Sequence, residues 1–187
     1  MKRTGKLMTL SGQMPKRLFD EPLFRNPHTV LEYSNVLDIN RAWRVLDFRC
    51  WIQEDVSDLG FTEAGLLSFD VQLNTDEILN PVAFNNAGDN RAVGFGNMLY
   101  SVSDGMYKPG FAFTGGTRGI MNQEYFIHPD RIVQNKLILC ATGDGAQALT
   151  ENKPGYTMNY MIYLEEVDIT PTESIVYNIK SKAQDIS

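Results

Sequence analysis

The chain has 187 residues, 17 Lys plus Arg against 23 Asp plus Glu for a net charge of −6, two cysteines and two histidines. That length fits one domain plus an arm and buries a core that needs no disulfide or metal staple, while an isoelectric point near 4.9 argues against a folded body that reads nucleic acid, since such domains present a basic face. The N-terminal charges are not followed by the apolar stretch of a secretion signal, and no apolar run approaches the length of a membrane-spanning helix.

The charge is unevenly placed. Lys2, Arg3, Lys6, Lys16, Arg17 and Arg25 face only Asp20 and Glu21 within the first 25 residues, and the remainder is strongly acidic. A basic, Pro-bearing leader on an acidic body predicts an N-terminal arm over residues 1–35 that contacts something other than its own domain. Leu18, Phe19, Leu23 and Phe24, with Val30 and Leu31, are too many apolar groups for a solvated linker, so the arm is expected to pack in part on the body or on a neighbouring copy.

From residue 41 the pattern becomes alternating. Ala42, Leu46, Phe48, Cys50 and Ile52 fall on one face and Trp43, Val45, Asp47, Arg49 and Trp51 on the other, which predicts a long strand. After a turn at Asp58 and Gly60, Leu67, Phe69, Val71 and Leu73 alternate with Ser68, Asp70 and Gln72, as in an antiparallel sheet with one wet face. Residues 74–90 read as an exposed loop rich in Asn, Asp, Pro and Gly. Short strands are predicted over 91–102, 106–113 and 121–127, then Ile132-Val133 and Leu137 to Ala141, with breaks at the Gly115, Gly116, Gly119 cluster and at Gly143-Asp144-Gly145. Met158, Tyr160, Ile162 and Leu164 alternate with Asn159, Met161, Tyr163 and Glu165 in a second long strand. Seven or eight strands without helical patterns between them predict an all-β, antiparallel two-sheet sandwich.

One helix is expected at the end of the chain. Thr170 as N-cap, Pro171 at the first position and Glu173 three residues after the cap form a capping box, and Ile175, Val176, Ile179 and Ala183 share a stripe.

No spacing announces a reaction. His28 in the arm and His128 before Pro129 do not make a strand-borne His-x-His pair, so a metal site is not expected and both read as surface or hydrogen-bonded. There is no nucleophile elbow, and Cys50 and Cys140 sit in apolar runs as buried thiols, bridged only if their strands face each other. Glu54-Asp55 and Glu165-Glu166 are adjacent on strands and point to opposite faces, so neither pair makes a glycosidase site; each reads as one solvated and one loop or edge charge. Gly94-Phe95-Gly96 and the 115–119 glycines lack the Lys-Ser/Thr of a phosphate loop and read as turn glycines. No cofactor is implied, and the chain is not expected to be an enzyme.

The stretch Tyr125 to Val133 continuing to Leu139, then Asn159 to Glu166, and the closing Ser181 to Asp185 resemble the C-terminal half of single jelly-roll capsid proteins of small tailless DNA viruses. The resemblance implies a sandwich of jelly-roll type over 36–169, an arm over 1–35 running beneath a shell, a helix or docked tail over 170–187, and self-assembly as the activity. On that reading the chain is a structural virion protein, assembled in the host cytoplasm. Lys2, Arg3, Lys6, Lys16 and Arg17 are expected to face the interior, meeting nucleic acid or a membrane. Leu18, Phe19, Leu23, Phe24, Ile175, Val176 and Ile179 are expected at subunit interfaces, with further virion proteins as partners. The competing expectation is a carbohydrate-binding or tail and spike module that uses Trp43, Trp51, Tyr100 or Tyr107 as a platform.

Overall fold

The structure, a computed structural model, describes residues 1–18, 27–33, 40–53, 65–76, 91–102, 118–128, 132–144 and 155–182. Among these residues eleven strands and one helix follow in chain order: β1 (Lys2–Gln13), β2 (Arg17–Leu18), β3 (His28–Glu32), β4 (Arg41–Ile52), β5 (Gly65–Asn74), β6 (Ala92–Val102), β7 (Arg118–Ile127), β8 (Ile132–Val133), β9 (Lys136–Asp144), β10 (Gly155–Tyr156), β11 (Met158–Asp168) and α1 (Pro171–Lys182). Two antiparallel sheets form a β-sandwich. One has the order β1-β11-β4-β8 and the other β3-β9-β5-β6-β7, with a small β10-β2 ribbon beside them.

The core lies between the sheets, because each long strand sends alternate apolar residues inward. Phe48, Cys50 and Ile52 of β4 and Met158, Ile162 and Leu164 of β11 meet Phe69, Val71 and Leu73 of β5, Met98 and Tyr100 of β6, and Leu137 and Leu139 of β9. The face of β5 expected to be wet is only partly so, since Gln72 is buried and donates to Asn74 Oδ1 at 2.7 Å.

Several expectations change. The front half of the expected arm is β1, an edge strand whose residues Leu7 to Gln13 pair in unbroken register with Glu165 to Asn159. Met8 and Leu10 pack against the core and Met14 is buried, which explains why this segment joins the sheet. In β4 the alternation changes phase. Its pairing with β11 passes from Val45 directly to Asp47, leaving Leu46 as a bulge residue exposed at the surface while Val45 enters the core. Before the bulge Ala42 therefore points away from the main core, into a smaller cluster with Ile132, Val167, Ile169 and Tyr177 of α1.

The glycines differ too. Gly94 and Gly96 lie inside β6, Gly119 inside β7 opposite Ser101, and Gly143 inside β9 opposite Phe69, so all four are strand residues. Neither cysteine is in a disulfide; Cys50 is buried and Cys140, in the opposite sheet, is half-buried. The capping box forms as expected, with Glu173 N–H donating to Thr170 Oγ1 at 3.2 Å and Thr170 N–H to Glu173 Oε2 at 2.7 Å. The helix does not dock through its aliphatic stripe: Ser174 is buried against Gln134 at 2.8 Å, and Ile175, Val176 and Ile179 face outward. The turn at 58–60, the loop from 77 to 90, the strand at 106–113, Gly115, Gly116, Ala183 and the Glu54-Asp55 pair lie outside the described residues.

Candidate functional site

Among the described residues, the densest polar arrangement stands where β11 runs between β1 and β4. Glu165 and Glu166 are consecutive on β11 and both are buried. Alternation points them to opposite sides of the sheet, and each meets one cation from β1 and one from β4. Arg44 donates from Nη2 to Glu165 Oε2 at 2.5 Å, and Arg3 Nε lies 3.7 Å from the same oxygen. Glu166 has Lys6 Nζ at 3.3 Å and Arg41 Nη1 at 3.5 Å. Register explains the division, since Glu165 stands opposite Arg44 and Glu166 opposite Trp43, beside Arg41 on the same face.

Burial alone would push the Glu166 carboxyl up, but the Thr4 hydroxyl, Lys6 and Arg41 outweigh it and hold the group below its ordinary 4.5. Glu166 also acts on its neighbourhood: burial first, then its negative charge, pushes the Tyr33 phenol up. The expectation for this pair, one solvated and one edge charge, is therefore corrected to two buried carboxylates, each clamped between cations. The signal was present in the sequence as two acids embedded in the apolar strand Leu164-Glu165-Glu166-Val167, which buries them only if cations arrive from neighbouring strands. Which cations arrive depends on register, and that is a property of the fold.

A third carboxylate extends the clamp to the helix. The Met1 amine lies 3.1 Å from Glu173 Oε1. The backbone N–H of Thr170, that amine and the Thr170 hydroxyl hold the Glu173 carboxyl below its ordinary range. Arg3 and Lys6, expected to face an interior partner, make these ion pairs while their side chains stay largely exposed, and Lys2 and Lys16 are exposed as well. Arg17 and Leu18 form β2 opposite Tyr156 and Gly155; their side chains, and residues Phe19, Leu23 and Phe24, lie outside the described residues.

Apolar groups on the surface form the other feature. Ile175, Val176 and Ile179 are 58%, 44% and 60% exposed on α1. Trp51 and Tyr163 are partly exposed on the outer face of the first sheet, while Trp43 packs against the core and Tyr100 is buried within it, so neither of these two is a surface platform. Tyr107 lies outside the described residues. His28 Nε2 is 3.4 Å from the Tyr160 hydroxyl, and the His128 N–H donates to the Val93 carbonyl at 2.9 Å. Among the described residues no three His, Cys, Asp or Glu side chains converge as metal ligands, and no helix is long and apolar enough to cross a membrane.

No protein-family model and no curated protein matches the chain.

Proposed function

We propose that the sandwich is a single jelly roll and that the chain is a self-associating structural subunit of a viral shell. The observation that carries this reading is strand order. With the short β2 and β10 and the additional edge strand β7 set aside, eight strands remain: β1, β3, β4, β5, β6, β8, β9 and β11. Numbered one to eight, they give sheets 1-8-3-6 and 2-7-4-5. First pairs with eighth, second with seventh, third with sixth and fourth with fifth, as when a long hairpin is wrapped into two Greek keys.

Lectins and metal enzymes share that topology, so the fold alone does not choose among them. The aliphatic groups on α1 favour assembly, because Ile175, Val176 and Ile179 are large apolar side chains turned away from their own domain. The exposed Lys2 and Lys16, with Arg3 and Lys6, which stay largely exposed in their ion pairs, are the described cations offered to an interior partner, nucleic acid or membrane. Electron microscopy and sedimentation of the purified chain test the reading. Closed particles or discrete oligomers are expected, and an Ile175→Asp/Ile179→Asp variant, altered only at exposed positions, is expected to sediment as a monomer. A wild-type chain that stays monomeric across salt and concentration overturns it.

A second reading, a glycan-binding module, draws on the partly exposed Trp51 and Tyr163, with Gln13 and Asn159 in register beside Trp51. Specific retention on a glycan array that is lost in Trp51→Ala would favour it.

A further inference from the structure

The first six residues are attached to the sandwich by different forces from the seven that follow. From Leu7 to Gln13 every β1 residue stands opposite one on β11, and Met8 and Leu10 rest on the core. Between Arg3 and Leu7 that ladder is interrupted, with Thr4, Gly5 and Lys6 standing against Glu166 alone. Gly5 makes the detour at φ 80°, with no atom within 4 Å of the position a Cβ would take. A left-handed glycine in open space is a point about which the backbone turns without colliding with anything.

Beyond that point only two rungs remain, Arg3 opposite Val167 and Lys2 opposite Asp168. No residue from 1 to 6 belongs to either apolar cluster. What holds the segment is polar: Met1 to Glu173, Arg3 to Glu165, Lys6 to Glu166, and the Thr4 hydroxyl donating to the Glu166 carbonyl at 3.1 Å. The Arg3 and Lys6 side chains are 72% and 62% exposed, so salt screens their attraction effectively. The carboxylates do not depend on the segment alone, because Arg44 and Arg41 reach them from the opposite strand.

We infer that residues 1–6 are an ionic strap, pivoting where Gly5 and Lys6 join the paired half of β1, that lifts from β11 as ionic strength rises while Leu7–Gln13 stays in the sheet. Release uncovers the β11 edge from Glu166 to Asp168 and frees three cationic groups (the Met1 amine, Arg3 and Lys6), with the sandwich still closed. Ionic strength thereby sets how much positive charge the N-terminus presents. This device does not rest on the shell reading and applies equally to a monomer.

Nitroxide labels at Lys2→Cys and Thr9→Cys, each in a Cys140→Ser background, report the two halves of β1 separately by electron paramagnetic resonance. At low salt both labels are expected to give ordered spectra. At about 1 M salt, where screening acts over roughly 3 Å, the label at position 2 becomes several-fold more mobile and the label at 9 does not change. An Arg3→Gln/Lys6→Gln variant is expected to show the mobile position-2 spectrum already at low salt, with the immobile position-9 label reporting that the sheet is intact. A position-2 label indifferent to salt, or two labels that loosen together, overturns the inference; the salt series needs no charge variant.

Discussion

At Gly96 the volume that a methyl group would need is already filled. A Cβ there would stand 2.6 Å from two ring carbons of Tyr125 and 2.7 Å from Val71 Cγ2, and at Gly94 it would stand 2.9 Å from Phe48 Cε1. Glycine normally weakens a strand, but these two leave room for Phe48 and Tyr125 to pack edge to face at 4.9 Å between the sheets. Gly96→Ala is therefore expected to cost about 1–3 kcal/mol, the range for overpacking a dense core, measured by urea unfolding. The sequence offers Gly-Phe-Gly as a turn because nothing within the tripeptide reveals aromatic rings arriving from β4 and β7. The thiol of Cys50, by contrast, was legible from its apolar run: burial alone pushes it up to about 12.

At the scale of elements, the short strand β8 creates a problem that a side chain solves. β8 pairs only with Trp43 and Arg44, so the rest of that edge of β4 has no partner strand among the described residues. The Tyr125 hydroxyl of β7 takes the place of one, accepting from the Cys50 N–H and donating to the Cys50 carbonyl, both at 2.8 Å. Gln123 Nε2 donates to the same hydroxyl at 2.8 Å and to the same carbonyl at 3.1 Å, and the Arg49 guanidinium lies over the Tyr125 ring. The bridge ties the edge of one sheet to the edge of the other and blunts a strand edge that would otherwise invite pairing. Tyr125→Phe keeps the ring and removes the hydroxyl, leaving the Cys50 N–H without its acceptor. A loss of about 1–3 kcal/mol is expected in chemical denaturation, the desolvation cost of an unmade buried hydrogen bond. Local signals reveal such elements unevenly: the Thr170 and Glu173 cap was readable because capping acts over three residues, whereas the Tyr125 bridge spans 75 residues of chain.

For the molecule as a whole, folding draws part of the N-terminal positive charge onto the acidic body. Arg3 and Lys6 close on Glu165 and Glu166, and the Met1 amine closes on Glu173. Glu166 and Glu173 both have carboxyls held below their ordinary 4.5. Each thus contributes stability that is fully present above that value and is lost as pH falls through the lowered one. The melting temperature is expected to be level from neutrality to about pH 5 and to fall below it. Lys6→Gln/Arg41→Gln should lower the plateau and flatten the decline; an unchanged profile in that variant would dissociate Glu166 from acid sensitivity. The two long strands were open to reading from period-two alternation, and the two-sheet class from the number of strands with no helical pattern between them. The destination of the N-terminal segment was not, since its apolar residues Met8, Leu10 and Met14 are separated by polar ones and find the core only when β11 is in place.

The extra residue in β4 has a consequence for how this domain tolerates insertion and deletion. Leu46 works as a phase shift in the strand: downstream of it even-numbered side chains face the interior, upstream of it odd-numbered ones do. Excising that one residue would rotate positions 41 to 45 by half a turn relative to the rest, swinging the Arg44 guanidinium inward and Val45 out to solvent. The floor on which α1 rests and the carboxylate clamp beside it would be lost together, so a single-codon deletion there is a far graver lesion than any substitution of the exposed leucine itself.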